Sequence, residues 1–212
     1  MRFAIALIAV AAVATPVIAQ QMTRPGSKNP ALVTAGSYSV DPNHTLVQWD
    51  LDHMGFTPYF GLFGDITGKL TLDPAKLSAA QVSVTIPVAK ITTVNPALNA
   101  HLLKAPATPG GKPDFFGPSP ADATFTSTAV APTGAQTAKV TGNLTLNGVT
   151  KPVTLDVAFY GAGKTPPQMG GKEGLGFTAK GVIQRSAFGL GYGVPMVGDD
   201  VTLKIAAAFI KD

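Results

Sequence analysis

Cysteine is absent from the 212-residue sequence, and charged residues are scarce. Without cysteine the chain has no disulfide framework, no thiolate metal site and no cysteine nucleophile. Asp, Glu, Lys and Arg make up 13% of the residues, which is about half of the usual fraction. The 16 basic residues are scattered and form no run. The net charge of +4 therefore gives little reason to expect binding to nucleic acid.

The sequence also lacks an apolar run of about twenty residues, which is the length that a membrane-spanning helix needs. Residues 3–13 are apolar, Arg2 precedes them, and Val17-Ile18-Ala19 follows. A basic start, a short apolar run and small residues before the cleavage point are typical of a secretory signal peptide. We therefore expect residues 1–19 to be removed. An uncleaved anchor or a buried helix is the alternative.

Removal of these residues leaves a mature chain of 193 residues with 15 basic and 12 acidic side chains. This length is typical of one domain. Residues 20–36 are polar and contain Pro25, Gly26 and Pro30, which predicts a flexible N-terminal segment. The folded domain is expected over residues 37–212.

The clearest structural signal lies in residues 140–159. Apolar residues such as Leu144 and Val153 alternate there with polar ones on both sides of Asn147-Gly148. An Asn-Gly pair between two alternating runs predicts a β-hairpin with a type I′ turn. Pro152 is expected at an unpaired or bulged position, because it has no amide hydrogen.

Similar alternation recurs along the chain and predicts about eight strands with one short helix, an all-β antiparallel fold. The helix is expected within residues 95–103, where Asn95 fits the N-cap and Pro96 the first helical position. Residues 104–120 are expected to form a long irregular loop. Residues 55–64 predict a tight bend or a short helical turn, and residues 161–176 a second Gly/Pro-rich loop.

Eight antiparallel strands with small inward side chains are compatible with two architectures. They can close into a barrel whose interior holds one slender ligand. They can equally form two tightly packed sheets, and the residues alone do not separate these alternatives.

Motifs for nucleotide, metal or nucleophilic chemistry are incomplete. The segment 161–165 looks like the end of a phosphate-binding loop, but Ala158 stands where the motif needs glycine and Pro166 prevents the following helix. His44, His53 and His101 have no local ligand spacing, and no G-x-S-x-G motif occurs. No cofactor or metal is therefore expected.

In combination the motifs resemble the YceI-like, polyisoprenoid-binding proteins of the bacterial periplasm. The resemblance covers residues 38–211. It rests, in order, on YSVDPNHTLVQWDLDHMGFTPYFGLFGDITGKLTLD, NAHL, DFF, TFTST, GNLTLNGVTKPVTLDV, GFTAKGVIQRSAFG and VGDDVTLKI. It implies a lipocalin-like antiparallel β-barrel that holds a long isoprenoid or other amphiphilic chain, quinone-type lipids included. It also implies a periplasmic location and no enzymatic activity.

The sequence departs from the family pattern in two places. Leu98 and Asn99 stand where members usually carry an Arg-Asp pair, although His101-Leu102 is kept. A contact that this pair makes with a polar headgroup is therefore not expected here. The loop before Asp114 is also longer, which would alter ligand choice if it frames the mouth of the pocket.

Strand parity within such a barrel predicts which side chains line the ligand. His53 and Arg185 are the candidate polar contacts near an end, and Arg185 has two structural alternatives, pairing with a carboxylate or reaching out to solvent. The predicted ligand-binding residues are Val47, Trp49, Leu51, His53, Val84, Leu144, Leu146, Val153, Leu155, Val157, Ile183 and Arg185.

The leading hypothesis is a periplasmic protein that carries, stores or sequesters an isoprenoid-type or other amphiphilic lipid. The expected partners are this lipid and a second copy of the chain in a homodimer, without nucleic acid or stable membrane insertion. One alternative is a small outer-membrane barrel, whose apolar face would point outward. The other is a hydrolase or metal-dependent enzyme that uses the histidines.

Overall fold

The structure, a computed structural model, describes residues 24–212. The predicted signal peptide and residues 20–23 lie outside this range. Residues 24–212 form one α-helix, α1 (Pro96–Leu102), and eleven strands. The strands are β1 (Gly26–Ser27), β2 (Gly36–Val40), β3 (Leu46–His53), β4 (Thr57–Phe63), β5 (Thr67–Leu72), β6 (Gln81–Ile86), β7 (Ala123–Gly134), β8 (Thr137–Leu146), β9 (Val149–Lys164), β10 (Glu173–Gln184) and β11 (Asp200–Lys211).

The strands close into an antiparallel barrel of eight positions. The order around the ring is β9-β8-β7-β6-β5-β2-β11-β10, and β10 pairs back to β9. The long strand β11 pairs with β2 through residues 209–211 and with β3 through residues 202–206. Strands β2 and β3 therefore share one place in the wall, and β4 and β5, which pair with them, share the next. This architecture confirms the predicted all-β, lipocalin-like barrel with one short helix.

The hairpin predicted at Asn147-Gly148 is formed by β8 and β9. Both turn residues have positive φ, 51° and 75°, as a type I′ turn requires. Leu144 and Val153 are buried, whereas Thr145 and Thr150 lie opposite each other on the outer face with their hydroxyls 2.8 Å apart. Pro152 lies opposite Asn143 without a bulge. The other edge of β9 pairs with β10 only from Asp156 onward, so the missing amide hydrogen breaks no bond on that edge.

Two segments that the sequence predicts as irregular are strands. Residues 57–63 form β4, so the predicted bend or helical turn is wrong there and holds only for Gly55 and Phe56, which lie in the turn between β3 and β4. The predicted loop at 161–176 is also wrong over much of its length, because β9 continues to residue 164 and β10 begins at 173. Glycine at 163 is needed there, since a Cβ would lie 2.0 Å from the carbonyl oxygen of Pro25, the residue just before the paired strand β1. Strand β10 ends at Gln184, and Arg185 begins a short 3-10 turn.

The short helix α1 is formed as predicted. The side chain of Asn95 accepts hydrogen bonds from the backbone N–H groups of Ala97 and Leu98, and Pro96 occupies the first turn. Residues 104–120 form no helix or strand, in agreement with the predicted loop. No helix within residues 24–212 has both the length and the apolar character that crossing a membrane requires.

The described part of the predicted flexible N-terminal segment lies along the barrel. Strand β1 pairs with β9, and the 3-10 turn Pro30–Leu32 follows it. The side-chain amide of Gln136 donates to the carbonyl oxygen of Lys28 at 3.0 Å. These contacts hold the segment against the strands that form the wall at one end of the barrel.

Candidate functional site

The interior of the barrel contains a cavity of about 1060 Å³. Its lining extends from α1, Phe115 and Tyr192 at one end to Pro30 and Val33 at the other end. The wall is largely apolar, because the alternating strands turn their apolar residues inward. The volume lies at the upper end of the range for small-molecule sites in proteins.

The twelve predicted ligand-binding residues all lie on the wall of this cavity. Strand parity placed them there, because every second residue of a regular strand faces the interior. Their position in the structure agrees with the sequence-based prediction. Contact of these residues with a ligand stays a prediction.

Buried residues pack around the cavity in two clusters. One surrounds the α1 end and includes Trp49, Leu102 and Phe125. The other surrounds the opposite end and includes Tyr38, Leu70 and Phe209. The cavity therefore passes between two packed ends, which hold the barrel together around it.

Several cavity-lining residues were missed by the sequence-based prediction. Tyr59 and Phe63 were missed because β4 was interpreted as a bend. They share one face with Gly61, but the residues between them, Phe60 and Leu62, are also apolar, so no polar–apolar alternation marks the strand. Phe115 and Tyr192 come from irregular segments that have no period to interpret. The other missed residues include Ile66, Leu70, Leu72, Phe125, Phe159, Phe177 and Phe209.

An aromatic cluster covers the α1 end of the cavity. The ring of His101 contacts the rings of Phe115 and Tyr192 edge-on, with centroids 5.2 and 5.7 Å away. His101 Nε2 lies 2.8 Å from a carboxylate oxygen of Asp114, which fixes the orientation of the imidazole. The helix and the long loop are thereby joined over this end of the barrel.

Arg185 lies at the edge of the cavity. The residue is only 5% exposed, and its guanidinium donates hydrogen bonds to backbone carbonyl groups. Its N–H groups donate to the carbonyl oxygens of Gly198, Leu190, Tyr192 and Val197. Burial lowers the pKa of Arg185, and the nearby Asp199 carboxylate partly offsets this effect. Four of the five N–H donors of the guanidinium thus hold the segment before β11 in place. Anchoring of this backbone segment is a structural role of Arg185 that was not predicted from the sequence.

The residues that replace the usual Arg-Asp pair have separate roles. Leu98 lines the cavity. The side chain of Asn99 instead binds Thr93, accepting from its backbone N–H and hydroxyl at 2.8 Å each and donating to its carbonyl at 3.2 Å. Asn99 therefore fixes the approach to α1, and at this position the cavity presents an apolar side chain.

The three histidines occupy different surroundings. His44 is exposed and pairs with Asp41 at 2.7 Å, whereas His53 and His101 line the cavity. In the part of the chain that the structure describes, no three His, Asp or Glu residues are grouped closely enough to hold a metal ion.

Two polar side chains of the β3–β4 pair lie in the cavity wall. The indole N–H of Trp49 and the hydroxyl of Tyr59 are buried, and neither has a hydrogen-bond partner among residues 24–212. Tyr59 lies opposite Leu51, two residues along from the pair Trp49–Gly61, so Trp49 and Tyr59 are diagonal neighbours on one face. The ring of His53 lies 6.3 Å from that of Tyr59.

A polar clasp closes the opposite end of the barrel. The Glu173 carboxylate accepts hydrogen bonds from the Thr34 backbone N–H at 2.8 Å, the Thr34 hydroxyl at 2.6 Å and the Tyr38 hydroxyl at 2.6 Å. Burial favours a higher pKa for Glu173, but these hydrogen bonds outweigh it and hold the pKa below its usual value. Burial and the bond to Glu173 raise the pKa of Tyr38 to about 12.

The outer face of the barrel is polar where β8 and β9 meet. Lys139 and Asp156 form an ion pair at 2.6 Å, and the hydroxyls of Thr141 and Thr154 lie 2.9 Å apart. The apolar faces of these strands line the cavity instead. This orientation is opposite to the one that the outer-membrane alternative requires.

An antiparallel eight-stranded barrel around a long apolar cavity defines a lipocalin-like class of protein. Residues 38–209 match the YceI-like domain, and the chain belongs to the YceI-like family. A UPF0312 protein of Pseudomonas putida (strain W619) is 37% identical over 168 residues, covering 76% of this chain and 82% of the relative. Protein YceI of Salmonella arizonae is 35% identical over 180 residues, covering 84% and 88%.

Solved structures share the fold. Burkholderia cenocepacia BcnA has a TM-score of 0.65 at 28% identity, covering 80% of this chain and 98% of its own. The Campylobacter jejuni YceI protein has a TM-score of 0.60 at 29% identity, covering 76% and 90%. A polyisoprenoid binding domain from Saccharophagus degradans has a TM-score of 0.54 at 12% identity, covering 82% and 98%. At that identity the likeness concerns the fold alone.

Proposed function

We propose that the chain holds a long-chain isoprenoid or a related amphiphilic lipid, quinone-type lipids included, inside its barrel. The observation that carries the proposal is the largely apolar cavity of about 1060 Å³. Such a cavity suits an apolar chain better than a polar metabolite, because polar groups need hydrogen-bond partners when they leave water. The lipid is held for transport, storage or sequestration.

Burial of the lipid tail supplies the binding free energy. Each methylene that leaves water contributes about 0.8 kcal/mol. A chain of about ten carbon atoms therefore gains about 8 kcal/mol before the cost of lost motion is subtracted. No reactive group is needed for this binding.

Membership in the YceI-like family supports a binding role rather than catalysis, because the resemblance implies a lipid-holding barrel without enzymatic activity. The positions of the histidines support the same choice. His44 lies outside the cavity and pairs with Asp41, while His101 is engaged by Asp114.

A matched pair of substitutions tests the binding site. Ala179 lies on the cavity wall between Val157 and Ile205, so Ala179→Phe places a phenyl ring inside the cavity, where it obstructs the path of a lipid tail. Ala206, the next strand position beyond Ile205, is exposed on the outside, so Ala206→Phe adds the same group without entering the cavity. Both variants are expected to fold, because the new ring of Ala179→Phe enters open cavity space and the new ring of Ala206→Phe enters solvent.

The mature chain and both variants are expressed in a bacterial periplasm, purified gently and examined by native mass spectrometry. The wild type and Ala206→Phe are expected to carry a long-chain lipid, and Ala179→Phe is expected to lose most of it. Lipid-free wild-type protein that also fails to take up added isoprenoid would overturn the proposal.

We include the periplasm in the proposal because residues 1–19 have the pattern of a signal peptide. Mass spectrometry of the protein from a periplasmic extract is expected to give an N-terminus at Gln20. A full-length chain in the cytoplasmic fraction would contradict this part. The homodimer stays a prediction, which sedimentation velocity of the mature chain tests.

A further inference from the structure

Two neighbouring loops at the α1 end of the barrel expose large apolar side chains. They are the turn between β3 and β4 and the segment that precedes β11. The backbone N–H of Met54 donates to the carbonyl oxygen of Met196 at 2.8 Å, which holds the loops side by side. Their exposed side chains, here called the apolar rim, are Met54, Phe56, Tyr192, Val194 and Met196. Single exposed apolar residues are ordinary, but a cluster of them marks an interaction surface.

The rim is also free of charged side chains. Residues 53–64 and 187–198 contain no Asp, Glu, Lys or Arg, and neither do residues 91–103, which include α1. Two carboxylates beside these segments are engaged by the protein. Asp52 accepts a hydrogen bond from the backbone N–H of Gly55 at 2.8 Å, and Asp114 lies 2.8 Å from the ring of His101.

The opposite end of the barrel has a different surface. Lys69 and Asp212 form an ion pair there at 2.8 Å, and Lys211 lies 3.7 Å from the Glu173 carboxylate. Moving charged groups out of water is costly. Of the two ends, the α1 end is therefore the one whose outermost loops can leave water without taking a charge with them.

Tyr192 joins the rim to the cavity. The residue is 52% exposed, yet it also lines the cavity. Its ring contacts the rings of His101 and Phe115, with centroids 5.7 and 5.4 Å away. The apolar surface outside the barrel is thus continuous, at Tyr192, with the apolar wall inside it.

From this arrangement we propose that the apolar rim docks the protein reversibly on the surface of a lipid bilayer, with the α1 end of the cavity facing the membrane. The rim side chains enter the interfacial layer, where aromatic and aliphatic groups are favourable. The docking itself is independent of the proposed function. Passage of a lipid through the docked end rests on that function.

A bilayer fits this surface better than a second copy of the chain does. Phe56 is 88% exposed at the tip of a turn, so it projects into its surroundings, and a fluid layer can close around a projecting side chain. A second copy seated on the rim would cover Tyr192 and the cavity end beside it. The cargo also favours membrane contact, because each methylene lowers the solubility of a lipid in water about fourfold.

Two double variants with matched chemistry test the docking. Phe56→Ser combined with Met196→Ser, the rim variant, removes the two most exposed side chains of the rim, and both residues lie outside the cavity lining. Tyr160→Ser combined with Met169→Ser is the control. Tyr160 lies near the end of β9, Met169 lies in the turn between β9 and β10, and they are 59% and 65% exposed.

Lipid-free mature protein is sedimented with phosphatidylcholine vesicles, whose zwitterionic surface does not attract the net positive charge of the chain. Wild type and the control are expected to bind the vesicles equally. The rim variant is expected to bind at least about tenfold more weakly, because two large apolar side chains no longer leave water.

Transfer of a lipid gives a second measurement, which depends on the cavity as well. The protein is loaded with dansyl-labelled geranylgeraniol, and movement of the label to the vesicles is followed by fluorescence. The transfer rate is expected to rise in proportion to vesicle concentration, because transfer occurs in the docked state. The rim variant should transfer about tenfold more slowly while its affinity for the labelled lipid equals that of wild type.

The outcomes separate docking from lipid binding. Wild type that does not bind the vesicles, or an equal loss of binding in both double variants, would overturn the docking surface. A wild-type dimer that the rim variant converts to a monomer in sedimentation velocity would assign the rim to a second copy instead. Transfer rates independent of vesicle concentration would show that the lipid leaves through water. Vesicle binding without uptake of the labelled lipid would support the docking and count against the proposed function.

Discussion

Gly61 shapes the cavity wall by having no side chain. It lies opposite Trp49 in the β3–β4 pair, and the indole ring occupies the space that a Cβ would take. The two residues form a unit, in which a glycine on one strand accommodates a large ring from the next. Sequence parity alone identified Trp49 as inward-facing, but it gave no reason to connect that residue with Gly61.

Gly61→Ala is expected to displace the Trp49 ring and to lower the free energy of unfolding by about 1–3 kcal/mol, the usual cost of overpacking. Urea denaturation followed by Trp49 fluorescence measures both effects, and the native emission spectrum should shift. Gly64→Ala is the control, because a Cβ there would have no neighbour within 4 Å. An equal loss in both variants would show that contact with Trp49 is not the cause.

Glu173 contributes to the acid sensitivity of the opposite end. Its side chain is 12% exposed and accepts three hydrogen bonds from Thr34 and Tyr38. Because its pKa is lower in the folded chain than in the unfolded chain, the unfolded state binds more protons as the pH falls. The stability from this group is therefore complete at neutral pH and is lost as the pH drops through the lowered pKa.

Glu173→Gln is expected to reduce the free energy of unfolding at neutral pH by about 1–3 kcal/mol, because one acceptor oxygen becomes an NH₂ that faces other donors. The difference from wild type should be constant down to about pH 5 and narrow below about pH 4. Urea unfolding at a series of pH values measures it. Asp122→Asn, at an exposed carboxylate, should show no comparable loss, and a difference that widens in acid would contradict the assignment.

At the level of secondary-structure elements, local signals were sufficient for some elements and not for others. The Asn147-Gly148 turn and the Asn95-Pro96 start of α1 are set by residues close in sequence, and both were predicted. The end of β9 was not, because Gly163 marks a close approach by Pro25, far away along the chain. A glycine that permits such an approach looks the same in sequence as a glycine in a loop.

The same distinction holds for the candidate site. Twelve residues of the cavity wall were predicted from strand parity, because parity can be identified from residues that are neighbours in the sequence. Tyr59 was missed because its strand was not predicted. Phe115 and Tyr192 were missed because they reach the cavity from irregular segments, which have no parity. The partnerless donors of Trp49 and Tyr59 become visible only when the whole wall is assembled, because the absence of a partner depends on every surrounding residue.

Helix α1 depends on its cap, since seven residues are too few to be stable alone. Asn95→Ala removes the acceptor of two backbone N–H groups and is expected to cost about 1 kcal/mol. Hydrogen exchange should increase in α1 first, because the helix can open while the barrel stays closed. Asn143→Ala, exposed on β8, is the control, and unchanged exchange in α1 would contradict the role of the cap.

For the whole molecule, closure of the sheet and the open interior are linked. Strand β10 pairs along its length with β11 and over residues 173–180 with β9. The ring therefore holds its shape while its interior contains about 1060 Å³ of space. The packed clusters at the two ends supply the hydrophobic stabilisation that a filled core would otherwise give. A ligand that enters this space adds contacts to the folded state alone.

Binding of an isoprenoid should therefore raise the stability of the entire barrel. At a free geranylgeraniol concentration one hundred times the dissociation constant, the gain is about 2.7 kcal/mol, which corresponds to a rise in the thermal midpoint of about 5–10 °C for a chain of this size. Ala206→Phe should show the same rise, and Ala179→Phe, whose new ring obstructs the cavity, should show a clearly smaller one. Any binding of geranylgeraniol to the unfolded state is the same for all three proteins. An equal rise in Ala179→Phe would therefore mean that the alcohol binds outside the barrel.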